Sequence, residues 1–292
     1  MHPEETIVLF NDDAAAHVSV TGTELTRWRI GETDLLWRSD PAIWERTSPL
    51  LFPVVGWCAG QSIKVAGMDY PMPVHGFAAS QLFDVEQYDA QSVTLLLRDN
   101  EATRLYYPFA FSLRVQYTLS ARQIAVALVV VNEDRGKIYY ACGLHPGFAL
   151  PFAGGVPEDY AITFDHHEQP HVPVIAPGGL FARKRRPVPL FGTSLAVNHD
   201  LFTQEALCFL HAKSKWISVG RVDHGHIRMD VENFPHLAIW SVPGAPFVSL
   251  EAWTGFGDPE GFSGELSQKP GMIALRPGSE GRASAVFTYS GG

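Results

Sequence analysis

Cysteine is scarce in this chain. Three occur in 292 residues, Cys58, Cys142 and Cys208, far apart and without Cys-x-x-Cys spacing. An odd, scattered set argues against a disulfide framework and against a local thiolate metal site; it fits free thiols in a reducing compartment. Positive charge is short as well: 22 Lys and Arg stand against 31 Asp and Glu, for a formal net charge of −9. A nucleic acid or an anionic membrane requires a basic field, so neither is expected as a partner. No apolar run is long enough to span a bilayer. The opening Met1-His2-Pro3-Glu4-Glu5 is acidic and polar, unlike a secretory signal, and the expected location is the cytoplasm. Internal repeats, low-complexity segments and long stretches of 3.6-residue periodicity are missing too, which disfavours helical architectures.

Short apolar runs punctuated by 26 glycines and 21 prolines fill the chain instead. Ile7–Phe10 and Ala16–Val20 flank the turn Asn11-Asp12-Asp13, and Gln61–Val65 and Met68–Met72 flank Ala66-Gly67, both hairpin signals. Phe111–Leu119 alternates through Phe111, Leu113, Val115 and Tyr117, and Gln123–Asn132 follows it. Tyr139–Leu144, Ala161–Phe164, Trp216–Val222, Ile227–Val231, Leu237–Val242, Phe247–Trp253 and Ala283–Tyr289 continue the series. The expected fold is all-β, a large antiparallel β-sandwich. One helical turn is expected within Asn100–Tyr107, before Pro108, and a long loop from Pro170 to Pro189. Large β architectures often exceed 200 residues as one unit, so 1–292 is read as a single domain.

Candidate chemistry centres on Phe247-Val248-Ser249-Leu250-Glu251-Ala252-Trp253-Thr254-Gly255. In a strand, Val248, Leu250 and Ala252 form an apolar face, while Phe247, Ser249, Glu251 and Trp253 share the other. A carboxylate flanked by aromatic rings suits a sugar site, where rings stack on C–H faces and the carboxylate accepts a hydroxyl proton. The plainer alternative is a rim Glu paired with an Arg. His75, in Val74-His75-Gly76-Phe77, and His145, in Gly143-Leu144-His145-Pro146-Gly147-Phe148, each lie beside glycine and an aromatic residue. Glycine lets a ligand approach the backbone, and Pro146 holds His145 in an extended conformation. Two such histidines with one Glu point to acid–base chemistry.

In order along the chain stand Arg46-Thr47-Ser48-Pro49-Leu50-Leu51-Phe52-Pro53-Val54-Val55-Gly56, His75-Gly76-Phe77, His145-Pro146-Gly147-Phe148 and Glu251-Ala252-Trp253-Thr254-Gly255. Together they resemble the aldose 1-epimerase (mutarotase) family, from about Thr23 to the turns at Lys269-Pro270-Gly271 and Arg276-Pro277-Gly278. The resemblance implies a β-sandwich with a cleft on one concave sheet and no cofactor. It also implies roles: Glu251 as the base on the anomeric hydroxyl, His145 as the acid at the ring oxygen, His75 as a second histidine there, and Arg46 on sugar hydroxyls. Trp253 is expected to contact the sugar. Three departures stand out. Trp57 follows Gly56 where the bacterial branch usually has arginine, and Ala252 replaces a proline. The family's hydroxyl-binding aspartate should fall near Asn198–Phe202, with His199 or Asp200 as its candidate.

Other groups read as structural. Asp165-His166-His167 and His171 lack paired ligand spacing, so no metal is expected. Asp223-His224-Gly225-His226 reads as a hairpin turn. Arg183-Lys184-Arg185-Arg186 is a solvated face or a sugar-phosphate site. The expected activity is interconversion of hexose anomers, with a small sugar as partner and a monomer or homodimer as the assembly. Its rivals are a non-catalytic sugar-binding or regulatory module and a hexose-6-phosphate mutarotase.

Overall fold

The computed structural model describes residues 6–291, and of His199 the backbone alone. Strands dominate, and the α-helix among the described residues is the single turn Glu101–Arg104. Asn100 caps it: its side chain accepts the Thr103 N–H at 3.0 Å while Thr103 Oγ1 accepts the Asn100 N–H at 2.9 Å.

The framework is a nine-stranded antiparallel sheet. Its order is Ser194–Ala196, Ala161–Phe164, Trp216–Arg221, Gly225–Glu232, Glu280–Gly291, Gln123–Asn132, Phe111–Ser120, Ser92–Arg98 and Asp84–Tyr88. Alternation sets its register. Leu113, Val115, Tyr117 and Leu119 turn inward with Val130, Leu128, Val126 and Ile124 opposite them, all buried. Each such aliphatic side chain contributes on the order of 1.5–3 kcal/mol by leaving water.

A smaller sheet packs on this one. Leu207–Phe209, His236–Trp240, Phe247–Trp253, Gly143–Leu144 and Leu50–Leu51 follow in order, and Gly147–Ala149 also pairs with Phe247–Trp253. Its inner face, with Leu237, Ile239, Val248, Leu250, Ala252 and Phe148, joins the same core as Ile217, Met229 and Phe287. Ring pairs Phe148–Phe287 and Phe164–Phe209, 5.8 and 4.8 Å between centroids, tie the two layers together. The all-β sandwich expected from the alternation is the observed architecture. Its outer face carries a separate apolar patch of Leu51, Val55, Phe181, Cys208, Ala238 and Trp253.

Two local expectations are corrected. The span 170–189 is not a loop: His171–Ile175 and Phe181–Pro187 form a hairpin, with its turn at the positive-φ pair Gly178 and Gly179. Prolines 170, 173 and 187 disguise it, and such residues are tolerated in a two-stranded ribbon that needs no central ladder. Tyr139–Leu144 is not one strand either. Ile138–Tyr140 pairs with Ile273–Leu275, whereas Gly143–Leu144 joins the smaller sheet. At the break, the Ala141 N–H is diverted to the Pro53 carbonyl at 2.8 Å.

Candidate active site

The site grows from the outer face of Phe247–Trp253. Leu144 pairs with Ala252 and Gly147 with Ser249, so the intervening His145 stands opposite Glu251. On the other side Glu251 faces Ala238, and Ala238 faces Cys208. One row across the sheet is therefore His145, Glu251, Ala238, Cys208. Pro146 has no N–H to give the ladder, so pairing loosens there while its carbonyl still accepts the Leu250 N–H at 3.3 Å. Small residues keep this face open. A Cβ on Gly143 would lie 2.8 Å from the Trp253 ring, and one on Gly147 would lie 2.7 Å from Trp44.

Glu251 is 1% exposed and, among the described residues, pairs with His145 and with no arginine, so it is not a rim ion pair. Its Oε2 accepts the Trp253 indole N–H at 3.0 Å and lies 3.3 Å from His145 Nε2. Burial pushes the carboxyl well above its ordinary value, with the Trp253 hydrogen bond pulling the other way. His145 is driven the opposite way, well below an ordinary histidine, first by burial and then by His75. Both directions favour a neutral pair: one proton, shared between a carboxylic acid and an imidazole.

Hydrogen bonds fix the tautomers. The Ser249 hydroxyl donates to the Pro146 carbonyl at 2.8 Å, so at 2.9 Å from His145 Nδ1 it accepts, and Nδ1 carries a proton. The lone pair of neutral His145 is then on Nε2, facing Glu251. Trp44 and Trp240 brace the imidazole at ring-centroid distances of 5.2 and 5.5 Å. In His75, Nδ1 accepts the Gly56 N–H at 3.2 Å, which leaves Nε2–H as a donor. The backbone of His75 is left-handed, with φ of 64°, and its N–H returns a bond to the Gly56 carbonyl at 3.0 Å. Gly76 follows at φ of 80°, where a Cβ would meet the Phe52 carbonyl oxygen at 2.1 Å; only glycine fits. Burial lowers His75 to about 4, so its ring is neutral at physiological pH. The two histidine rings meet edge to face at 5.7 Å.

These three side chains line one cleft of about 570 Å³, together with Arg46 and Trp253. Arg46 makes long contacts from Nη1 to the Ala79 carbonyl, 3.4 Å, and to Glu24 Oε2, 3.5 Å. The buried Glu24 also accepts the N–H groups of Thr47 and Ser48, at 2.5 and 2.9 Å, and so holds the segment that carries Arg46.

The candidates near Asn198–Phe202 are not seen to join this cleft. Asp200 is exposed in the 3-10 turn His199–Phe202 and is not among the cleft's lining residues; the side chain of His199 lies outside the described residues. The turn forms because the Asn198 side chain accepts the N–H groups of Asp200 and Leu201, an N-cap that ties Asp200 to its own backbone. Among the described residues, the acids lining the cleft besides Glu251 are Glu45 and Glu205, the latter in a left-handed conformation with φ of 66°. No pattern in the sequence marks it. The basic run misses the cleft also: none of Arg183 to Arg186 lines it. Arg186 is engaged by the carbonyls of Leu201, Glu205 and Ala206, and Arg185 by that of His171. Alternation did not reveal Trp44, Trp240 and Cys208, which lie on other elements. Burial pushes the Cys208 thiol up, so it is a neutral wall and not a nucleophile. No cluster of three or more potential metal ligands occurs among the described residues.

Comparison with known proteins identifies the family. Residues 5–288 match the aldose 1-epimerase family. The chain belongs to that family. A galactose mutarotase related enzyme from Lactobacillus acidophilus is 30% identical, with a TM-score of 0.90 over 98% of this chain and 97% of that one. A galactose mutarotase-like protein from Lactobacillus casei is 26% identical, with a TM-score of 0.91 over 98% and 100%. Protein LacX (chromosomal) of Lactococcus lactis subsp. lactis is 29% identical over 284 residues, 93% of this chain and 95% of that one. As a family member, the chain has the outline of an isomerase acting on sugars. No helix among the described residues is long and apolar enough to cross a membrane.

Proposed function

We propose that the protein is an aldose 1-epimerase, interconverting the α and β anomers of a free hexose by acid–base ring opening in the Glu251–His145–His75 cleft. The observation that carries this reading is the buried contact of 3.3 Å between His145 Nε2 and Glu251 Oε2, close enough for the two to share one proton. Ring opening removes a proton from O1 and delivers one to the ring oxygen. When the shared proton sits on His145, Glu251 is the base for O1–H and Nε2–H is the acid for the ring oxygen. When ring opening is complete the proton taken from O1 sits on Glu251 and His145 is neutral. The C1–C2 bond turns, and closure on the other face runs the transfers backwards. The pair gains and loses nothing over the cycle, so a neutral sugar reacts without any net charge entering the site.

The division of labour between the histidines follows from their tautomers. Neutral His75 offers Nε2–H but would become an imidazolate on releasing it, so its part is a hydrogen bond to the ring oxygen as charge develops there. His145 moves the proton, and Ser249 holds its Nδ1–H throughout. Each transfer contributes about a hundredfold or more. A phosphorylated substrate has little support: the described cation lining the cleft is Arg46, and Glu45 and Glu205 line it too.

Glu251→Gln keeps the shape and one acceptor but cannot take the anomeric proton. It is expected to leave sugar binding within a few fold and to lower anomer exchange, followed by polarimetry or NMR saturation transfer, at least about a hundredfold. His145→Asn should fall similarly, and the double variant far less than the product of the two. A native protein that binds aldoses yet never exceeds the spontaneous exchange rate would refute the enzymatic reading and leave a sugar-binding module.

A further inference from the structure

Trp57 sits in surroundings built for a ring. It lines the cleft and is 38% exposed, unusually open for a tryptophan held so firmly. Its backbone is clamped from behind. The Trp57 carbonyl accepts the Asp258 N–H at 2.8 Å, and Asp258 Oδ2 accepts the Ala59 N–H at 2.7 Å. Asp258 itself is 2% exposed and bound through Oδ1 to the buried ammonium of Lys269 at 2.5 Å, a buried ion pair that holds it in place. On the cleft side, the indole lies against the hairpin turn. A Cβ on Gly179 would fall 1.8 Å from Trp57 Cδ1, so glycine there leaves the gap that the ring occupies. Phe181, two residues on, lines the same wall and packs against Phe256 at 5.4 Å.

Trp57 also follows Gly56, whose N–H sets the tautomer of His75. The wall therefore starts one residue from the group expected to touch the ring oxygen. A flat, fixed, apolar surface beside a sugar site attracts the C–H face of a pyranose and gives nothing to a charged substituent. The acids lining the cleft outnumber its one described cation, Arg46, which adds repulsion for an anion.

We infer that Trp57 is a specificity-determining residue: an aromatic platform, seated on Gly179 and backed by Phe181, that packs on a C–H face of a neutral aldose and selects against sugars bearing phosphate or carboxylate. This rests on the aldose 1-epimerase reading for its rate measurements, but its binding measurements stand independently.

The test compares galactose and glucose with galacturonate and glucose 6-phosphate, by calorimetry for binding and NMR for anomer exchange. The native protein is expected to favour the neutral sugars at least about tenfold in kcat/KM. Trp57→Ala should raise Kd and KM for the neutral sugars about tenfold, with kcat changed by less than about threefold, because a platform holds ground state and transition state alike. Trp57→Phe should lose less than Trp57→Ala. Gly179→Ala keeps the Trp57 side chain but drives the ring from its seat, and should raise KM as Trp57→Ala does. Trp57→Arg should narrow the preference against the anionic sugars. An unchanged Kd for neutral sugars in both Trp57→Ala and Gly179→Ala would overturn the proposal, as would a native preference for the anionic ones. If the native protein binds neutral sugars through Trp57 but does not speed exchange, the enzymatic reading fails and the platform stands. Rapid exchange with no dependence on Trp57 means the opposite: the enzymatic reading stands and the platform fails.

Discussion

The two faces of the strand Phe247–Trp253 have the same burial and opposite purposes. Every residue of the strand is buried. On one side Val248, Leu250 and Ala252 are sealed into the core between the sheets. On the other, Ser249, Glu251 and Trp253 are hidden just as fully, but their side chains are tied to one another and to His145 by specific hydrogen bonds. Burial on the first face stabilises the fold directly. On the second it changes chemistry, raising the proton affinity of a carboxyl and lowering that of the imidazole opposite. The strand is thus a partition: shape matters on one side and proton placement on the other.

Single substitutions on adjacent residues should separate the two purposes. Leu250→Ala removes a fully buried side chain from the core and should destabilise the protein by about 2–5 kcal/mol, read as a loss of denaturation midpoint. Exchange activity per folded molecule should stay within a few fold of native. A large fall in activity without a fall in stability would show that the two faces are not independent. One residue earlier, Ser249→Ala should do the reverse. It deletes the acceptor of the His145 Nδ1 proton, and with it the lock on the tautomer. The expected loss is about tenfold in kcat, equivalent to about 1.4 kcal/mol, with little change in melting temperature. The same loss should appear on every accepted sugar, since Ser249 acts through His145 and does not line the cleft. Sugar-dependent losses would instead place its hydroxyl in direct contact with substrate.

The core face was legible in the sequence because strand alternation is a local code. Leu113, Val115 and Tyr117, or Val248, Leu250 and Ala252, announce their side without any knowledge of the partner strand. The two candidate histidines stood out through their company, since His75 and His145 each lie near glycines that the backbone requires. What stayed hidden depends on distant pairing. The closeness of His145 and Glu251 is a matter of register between segments more than a hundred residues apart. Glu205, in a left-handed conformation, lines the cleft, while Asp200, the more promising carboxylate by position in the chain, stands exposed on its 3-10 turn and does not. The arginine run could be read as a solvated face or a sugar-phosphate site because a sequence does not show which carbonyls will claim a guanidinium. Arg186 is held by three of them.

The smallest expected effect comes from the charge that Glu251 does not carry. Its carboxyl is raised by burial above the ordinary value of 4.5, so over a range of pH above 4.5 the folded protein keeps a proton that the unfolded chain has released. The unfolded state then binds fewer protons, and stability must fall as pH rises through that window. Histidine works in the opposite sense. His75 is lowered from 6.5 to about 4, so its contribution rises with pH between those values and is complete above 6.5. His145 is also lowered, and its contribution has the same sign. Above pH 6.5 both imidazoles are neutral whether the chain is folded or not, and Glu251 can be read alone. Glu251→Gln, which cannot ionise, should therefore melt higher than native by a few degrees at pH 8. The gap should narrow toward pH 4.5, measured by calorimetry at constant ionic strength. A gap independent of pH would mean that Glu251 titrates normally. No proton would then be shared: a carboxylate would face a neutral imidazole, and the acid for the ring oxygen would be missing.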